Sequence, residues 1–247
     1  MIPSKHFIIA GAQRSGSTFL AQTLAGHPDI AMAQPWVPEP KYFLPGKAAY
    51  SKEDYLRRFF APSFTAQCLG EKTVSYFETP ASAALIHTCL PEAKLIFILR
   101  DPVLRAVSNY FFSFRNGFET RPLEEVFSTF RDRLPDEACR SLSASPYAYL
   151  ARGEYARMLE PFDRVFGFQK IFILIQENWL KEGMPFGPLL DFLGVPDCPE
   201  LQEKILWKTD VEAQTLSPFL KNHLSTYYRD WNARLAKRYS LDLGLWT

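Results

Sequence analysis

Residues 7 to 24, FIIAGAQRSGSTFLAQTL, run an unbroken apolar strand into a Gly/Ser turn and straight on into an amphipathic helix. A chain built this way aims several backbone N–H groups, and the positive end of a helix dipole, at one point, so the segment reads as a cradle for an anion. Gly11 and Gly16 keep the spacing of a nucleotide-hydrolysing phosphate loop, yet the lysine that should follow the second glycine is missing. Ser17 and Thr18 stand there instead, and the one cation is Arg14, inside the loop.

Two further apolar runs, KLIFILRDP at 94 to 102 and KIFILIQ at 170 to 176, lack period-2 alternation. Helical patterns separate them: 17 to 25 closed by Gly26, about 103 to 113, and 154 to 166. Continuous apolar strands alternating with helices are the mark of a parallel sheet covered on both faces. The expected fold is therefore α/β and three-layered. Toward the C-terminus Leu216, Phe219, Leu220, Tyr227, Trp231 and Leu235 recur at helical spacing and predict an amphipathic helix whose aromatic stripe is core. Residues 114 to 147 are polar and weakly periodic, either a mobile cover over a site or a surface excursion. No linker, repeat or low-complexity tract divides the chain, so residues 1–247 are expected to form one domain.

Charge narrows the partners. With 28 basic against 27 acidic residues the chain has no global field to gather nucleic acid, an anionic membrane or a long polyanion, and any anion site must be local. No apolar run approaches the ~20 residues of a membrane span, and the start MIPSKHFIIAG leaves no room for a signal peptide, so a cytoplasmic location is expected. Cys68, Cys89, Cys139 and Cys198 are scattered without a C-x-x-C pair and read as reduced thiols, with no metal site indicated. His27 and His6 border a helix and a strand, and His87 and His223 lie in helical patterns without a carboxylate partner; none reads as a catalytic base.

In open parallel sheets ligands sit beyond the carboxyl ends of the strands. There, after the 94–99 run, comes RDPVLRAVSNY: Arg100 closes the strand, Pro102 suits a first helical turn, and Ser108 shares a helix face with Arg105. An arginine and a hydroxyl so placed clamp a second anionic group. Two anion clamps at neighbouring strand ends point to a nucleoside phosphorylated at both ends.

These residues resemble the sulfotransferases that use 3′-phosphoadenosine-5′-phosphosulfate (PAPS), most of all the heparan-sulfate-type enzymes and their small bacterial relatives. The resemblance rests on GAQRSGSTFL, HPDI, EPKYF, GEKTVSYF, RDPVLRAVSNYFF, RGEYARMLEPF and YYRDWNARLAKRY…LGLW, in that order. It implies a P-loop-like fold with a central parallel sheet of about five strands flanked by helices. It also implies PAPS as donor, the bisphosphate PAP as product, and no metal, since a phosphosulfate carries less charge than a triphosphate.

Residue by residue, the resemblance makes Gln13, Arg14, Ser15, Gly16, Ser17 and Thr18 the 5′-phosphosulfate loop, and Arg100 with Ser108 the 3′-phosphate clamp. Glu39 becomes the base that takes the acceptor proton during in-line transfer. Lys72, with Arg14, becomes the cation on the leaving oxygen. Arg14 stands where the family usually has lysine. Tyr155 is placed beside the nucleotide, Trp207 on the adenine and Lys208 at the 3′-phosphate. Lys41 belongs to the acceptor pocket, and Phe112, within NYFFSF, offers it an apolar wall or is simply a buried helix face. The expected acceptor is a hydroxyl or amine of a small metabolite, glycolipid or sugar. The competing readings are a metal-dependent phosphotransferase with Asp101 on magnesium, and a nucleotide-binding module without catalysis.

Overall fold

The computed structural model describes residues 5–61, 66–129, 147–203 and 216–246. The strands β1 (Lys5–Gly11), β2 (Ile30–Met32), β3 (Cys68–Lys72), β4 (Lys94–Leu99) and β5 (Ile171–Ile175) form one sheet in the order β2-β3-β1-β4-β5, every pair parallel. β1 is central, and Phe7 through Ala10 are sealed from solvent, as a strand covered on both faces requires. Alternation then sorts its side chains. Ile8 and Ala10 join Phe97 and Leu99 under α3 (Ala81–Cys89) and α6 (Tyr155–Phe166). Phe7 and Ile9 join Ile96 and Ile98 under α1 (Ser17–Leu24), α7 (Gln176–Lys181) and α8 (Gly187–Leu193). This is the expected α/β three-layer, P-loop-like arrangement.

The remaining helices are α2 (Lys52–Phe59), α4 (Pro102–Arg115), α5 (Leu123–Phe127), the short α9 (Glu200–Glu203) and α10 (Pro218–Tyr239). A third core cluster joins α4, α5 and α10 through Val103, Val107, Val126, Phe127, Leu224 and Tyr228. β2 and β3 carry no long apolar run and were not legible as strands. β3 reads CLGEK, and its Gly70 passes so close to β1 and β2 that a Cβ there would lie 2.3 Å from the Phe7 ring and 2.4 Å from Met32 Sδ.

Three sequence expectations are corrected. The buried side of α10 carries Leu220, Leu224, Tyr228 and Leu235, whereas Phe219, expected in the core, is 73% exposed and stacks on His223. Up to residue 129, the polar stretch from 114 is no loose excursion, because α5 is anchored in the third cluster and Glu119 is buried against Arg121 and Tyr149. Residues 130–146 of that stretch lie outside the described residues. Finally, Arg105 does not join Ser108 in an open clamp; it is buried, bonded to the Tyr149 carbonyl and to Asn109.

Candidate active site

The loop between β1 and α1 is held by its carbonyls. Arg100, at the end of β4, donates to the Arg14 carbonyl at 3.4 Å, and Gln176, at the end of β5, donates to the Ser15 carbonyl at 3.2 Å. In a planar trans peptide the C=O and the following N–H point in opposite directions, so pinning these two oxygens turns the Ser15 and Gly16 amides the other way. Arg14 (φ 66°) and Gly16 (φ 91°) both adopt left-handed backbone, and Gly16 begins α1 without a side-chain cap. The N–H groups of Ser15, Gly16, Ser17 and Thr18 stand at the start of α1, where amides have no carbonyl of the same helix four residues back. Four convergent donors at a helix N-terminus suit a phosphate group.

Cations close this cradle from two sides. On the α4 side, Arg14 Nε donates to Ser108 Oγ at 3.2 Å, and the guanidinium lies 5.1 Å from the centre of the Phe112 ring. Phe112 is therefore partly covered by Arg14 while remaining 39% exposed. On the β3 side, Lys72 Nζ donates to Thr18 Oγ1 at 3.1 Å and pairs with Glu39 Oε1 at 2.7 Å. The other Glu39 oxygen accepts the Val74 N–H at 3.1 Å. Lys72 and Glu39 are 12% and 15% exposed, low enough for the pair to be shielded and high enough for a ligand to reach it.

Tyr155 is placed differently from the expectation. Its ring is buried between Phe77 and Trp246, and its hydroxyl donates to the Arg100 carbonyl at 2.8 Å, so it props the end of β4 from beneath and faces no open cleft. Asp101 is the N-cap of α4: its Oδ1 accepts the Val103 N–H at 2.8 Å and the Leu104 N–H at 3.4 Å. That duty leaves this oxygen poorly suited to magnesium. Trp207 and Lys208 lie outside the described residues.

Sequence reasoning missed a supporting layer. Glu177 accepts the Asp101 N–H and the Trp246 indole N–H, each at 2.9 Å, and burial pushes its carboxyl above the ordinary range. Glu71, wholly buried in β3, accepts from the hydroxyls of Thr73 at 2.6 Å and Tyr76 at 2.7 Å; burial raises it too, the hydroxyls working against that rise. Nothing in composition or spacing marks these residues, because each acts through a contact made only in the fold.

The His27 ring nitrogens meet the Asp29 N–H and the Pro196 carbonyl, His6 is buried in β1, and His87 packs edge-on against Phe166. Cys68, Cys89 and Cys198 are unbridged, and Cys139 lies outside the described residues. Among the described residues no helix is long and apolar enough to cross a membrane, and no cluster of three or more His, Cys, Asp or Glu is placed to hold a metal ion.

Comparison with known proteins follows the same lines. The family profile described as a sulfotransferase domain matches residues 4–226. Mouse heparan sulfate glucosamine 3-O-sulfotransferase 3B1 is 30% identical over 191 residues, which cover 76% of this chain and 45% of that protein. The membrane-associated sulfotransferase kil1 of Dictyostelium discoideum is 35% identical over 126 residues, 49% of this chain and 26% of that protein. The chain thus spans less than half the length of the curated relatives it matches. Among solved structures, a sulfotransferase from Alicyclobacillus acidocaldarius aligns with a TM-score of 0.77 at 25% identity over 100% of this chain and 99% of its own. Mouse sulfotransferase SULT7A1 complexed with PAP aligns at 0.55 and 14% identity, over 95% and 88% of the two chains, a likeness of fold.

Proposed function

Given that the chain belongs to the sulfotransferase-domain family, we propose that it moves a sulfuryl group from PAPS to a hydroxyl or amine of a small metabolite, glycolipid or sugar. The observation that carries this reading is the junction at Lys72, where one ammonium touches both the cradle, at Thr18, and the carboxylate of Glu39. A cation for a leaving oxygen and a base for an incoming nucleophile meet at the mouth of an anion site.

The donor supplies an activated S–O bond. In the transfer that bond to the 5′-phosphate breaks, a new bond from sulfur to the acceptor oxygen or nitrogen forms, and the acceptor proton passes to Glu39. The amides of residues 15 to 18 and the hydroxyls of Ser17 and Thr18 hold the phosphosulfate end, with Gln13 beside them. Lys72 offsets the charge that gathers on the bridging oxygen, a charge largest in the transition state. Arg100, Ser108 and Arg14 hold the 3′-phosphate, and the reach of Arg14 onto α4 supports a binding role for it above a role at the bridging oxygen. Tyr155 serves from below by fixing Arg100. Lys41 and Phe112 flank the acceptor. Trp207 and Lys208 keep the adenine-side role that the family resemblance gives them.

The names of the relatives support a carbohydrate acceptor; the near-neutral charge of the chain, net +1, favours one smaller or less anionic than a heparan chain. A screen of acceptors with donor labelled in the sulfuryl group tests the reading. Label should move to an acceptor as PAP is released. ATP turnover that EDTA abolishes, without sulfuryl transfer, would refute it.

A further inference from the structure

We propose that Glu71 is a positioning residue for the transfer: through the hydroxyls of Thr73 and Tyr76 it fixes the backbone of residues 41 to 43 and with it the aim of Glu39. The inference rests on reading Glu39 as the base.

Glu71 follows Gly70 in β3, pairs in register with Ile8 of the central strand, and is fully buried. A carboxylate there is expensive unless it is hydrogen-bonded, and two hydroxyls on the chain just beyond it, Thr73 and Tyr76, donate to its Oε1. Because each hydroxyl spends its proton on Glu71, its lone pairs face outward, and both are taken by amides of the segment that carries Glu39. Lys41 N–H donates to Thr73 Oγ1 at 3.3 Å, and Phe43 N–H donates to Tyr76 Oη at 3.1 Å. This segment belongs to no strand of the sheet, Pro40 has no N–H to offer, and Lys41 is held in left-handed backbone at φ 50°. A non-glycine residue keeps such a conformation only where its surroundings enforce it. The same short stretch also grips the Glu39 carboxylate, through Lys72 and the Val74 N–H. Residues 71 to 76 therefore fix Glu39 at its head and through the backbone that follows it, and Glu71 sets the polarity of the second hold.

A buried carboxylate that merely stabilised the fold would leave no trace of this route, so the test is coupling. Tyr76→Phe and Thr73→Val keep side-chain shape and delete one hydroxyl each; Glu71→Gln keeps size. Each is made alone and in Glu39→Gln, and turnover is measured with PAPS and an acceptor found in the screen. Displacing a base costs about ten-fold or more, so kcat should fall by that factor with the donor KM unchanged, and the fall should vanish in Glu39→Gln. Equal losses in both backgrounds, or none in either, would overturn the inference while leaving Glu39 as base. Near-normal turnover in Glu39→Gln alone would overturn the base reading itself, and the inference with it. A second measurement needs no acceptor: amide exchange by NMR in Tyr76→Phe. Exchange at Phe43, Lys41 and the distant Val74 should all quicken, by about ten-fold. Faster exchange at Phe43 alone would overturn the proposed route.

Discussion

Replacing Lys72 by alanine separates the two jobs its ammonium performs. In the ligand-free protein it forms one ion pair, with Glu39 at 2.7 Å, and one hydrogen bond, with Thr18 at 3.1 Å. The pair lies between the exposed kind, worth ~0–1 kcal/mol, and the sealed kind, whose disruption costs ~3–5 kcal/mol. Glu39 keeps the Val74 N–H and access to water after the change, which places the loss near the lower end, about 1 to 2 kcal/mol. At roughly 2–4 °C per kcal/mol for a chain of this size, Tm should fall by a few degrees. Turnover should suffer far more. A preorganised donor aimed at a developing oxyanion contributes about 10²- to 10³-fold, so kcat should drop by that factor while PAP affinity, measured by calorimetry, changes only a few-fold. Steady-state kinetics in PAPS decides. A raised KM with kcat intact would make Lys72 a ground-state anchor and refute the assignment of this lysine to the leaving oxygen.

Two clamps imply that PAP should raise Tm strongly and AMP hardly at all; equal shifts by thermal melting would show that the 3′-phosphate site is misplaced. Arg100→Ala should weaken PAP binding more than Ser108→Ala, because it removes a charged contact, and unchanged affinity in Arg100→Ala would move the 3′-phosphate elsewhere. Activity with PAPS should persist in excess EDTA, and loss restored by magnesium would revive the phosphotransferase reading. Burial raises the Glu71 carboxyl, so the folded chain holds that proton more tightly than the unfolded one. The stability linked to this group is fullest below the ordinary glutamate pKa and is lost as pH climbs through the raised value. Glu71→Gln should flatten that slope in urea melts run from pH 4 to 7, and an unchanged slope would contradict the raised value.

The legible parts of this chain were those where one physical signal dominates. β1, β4 and β5 are apolar without interruption because both sheet faces are covered, and the turn at Gly11 to Gly16 carries its own backbone chemistry. β2 has three residues, and β3 carries Gly70 and Glu71, two residues that local propensity keeps out of strands. Gly70 is explained by the Phe7 ring and Met32 sulfur of distant segments pressed against it, Glu71 by hydroxyls two and five positions further along the chain, bonds that local propensity does not show. On α10 the periodicity was right and the face was rotated, since Tyr227 and Tyr228 are adjacent and only packing against Leu150 and Gly153 selects the second. Arg105 looked like a ligand clamp because spacing alone cannot tell an arginine aimed at an anion from one spent on the Tyr149 carbonyl. Glu39 and Lys72 had no local signature and were reached through the resemblance; their contact across 33 positions of sequence is a property of the fold.

The crossover order β2-β3-β1-β4-β5 carries a further consequence. The groups at the mouth come from segments 14–18, 39–43, 72–76 and 100–112, delivered by strands that are neighbours in the sheet and far apart in the chain. No one of these segments carries the whole site, so affinity for the proposed nucleotide bisphosphate should be a global quantity, present only once the long-range pairings have formed. Ligand binding and folding are then one linked equilibrium. PAP at about a hundred times its Kd should add ~2.7 kcal/mol to the stability of the whole sheet, including β5 and α10, which supply no more than supports. Protection from proteolysis by PAP should therefore extend to peptide bonds remote from the nucleotide.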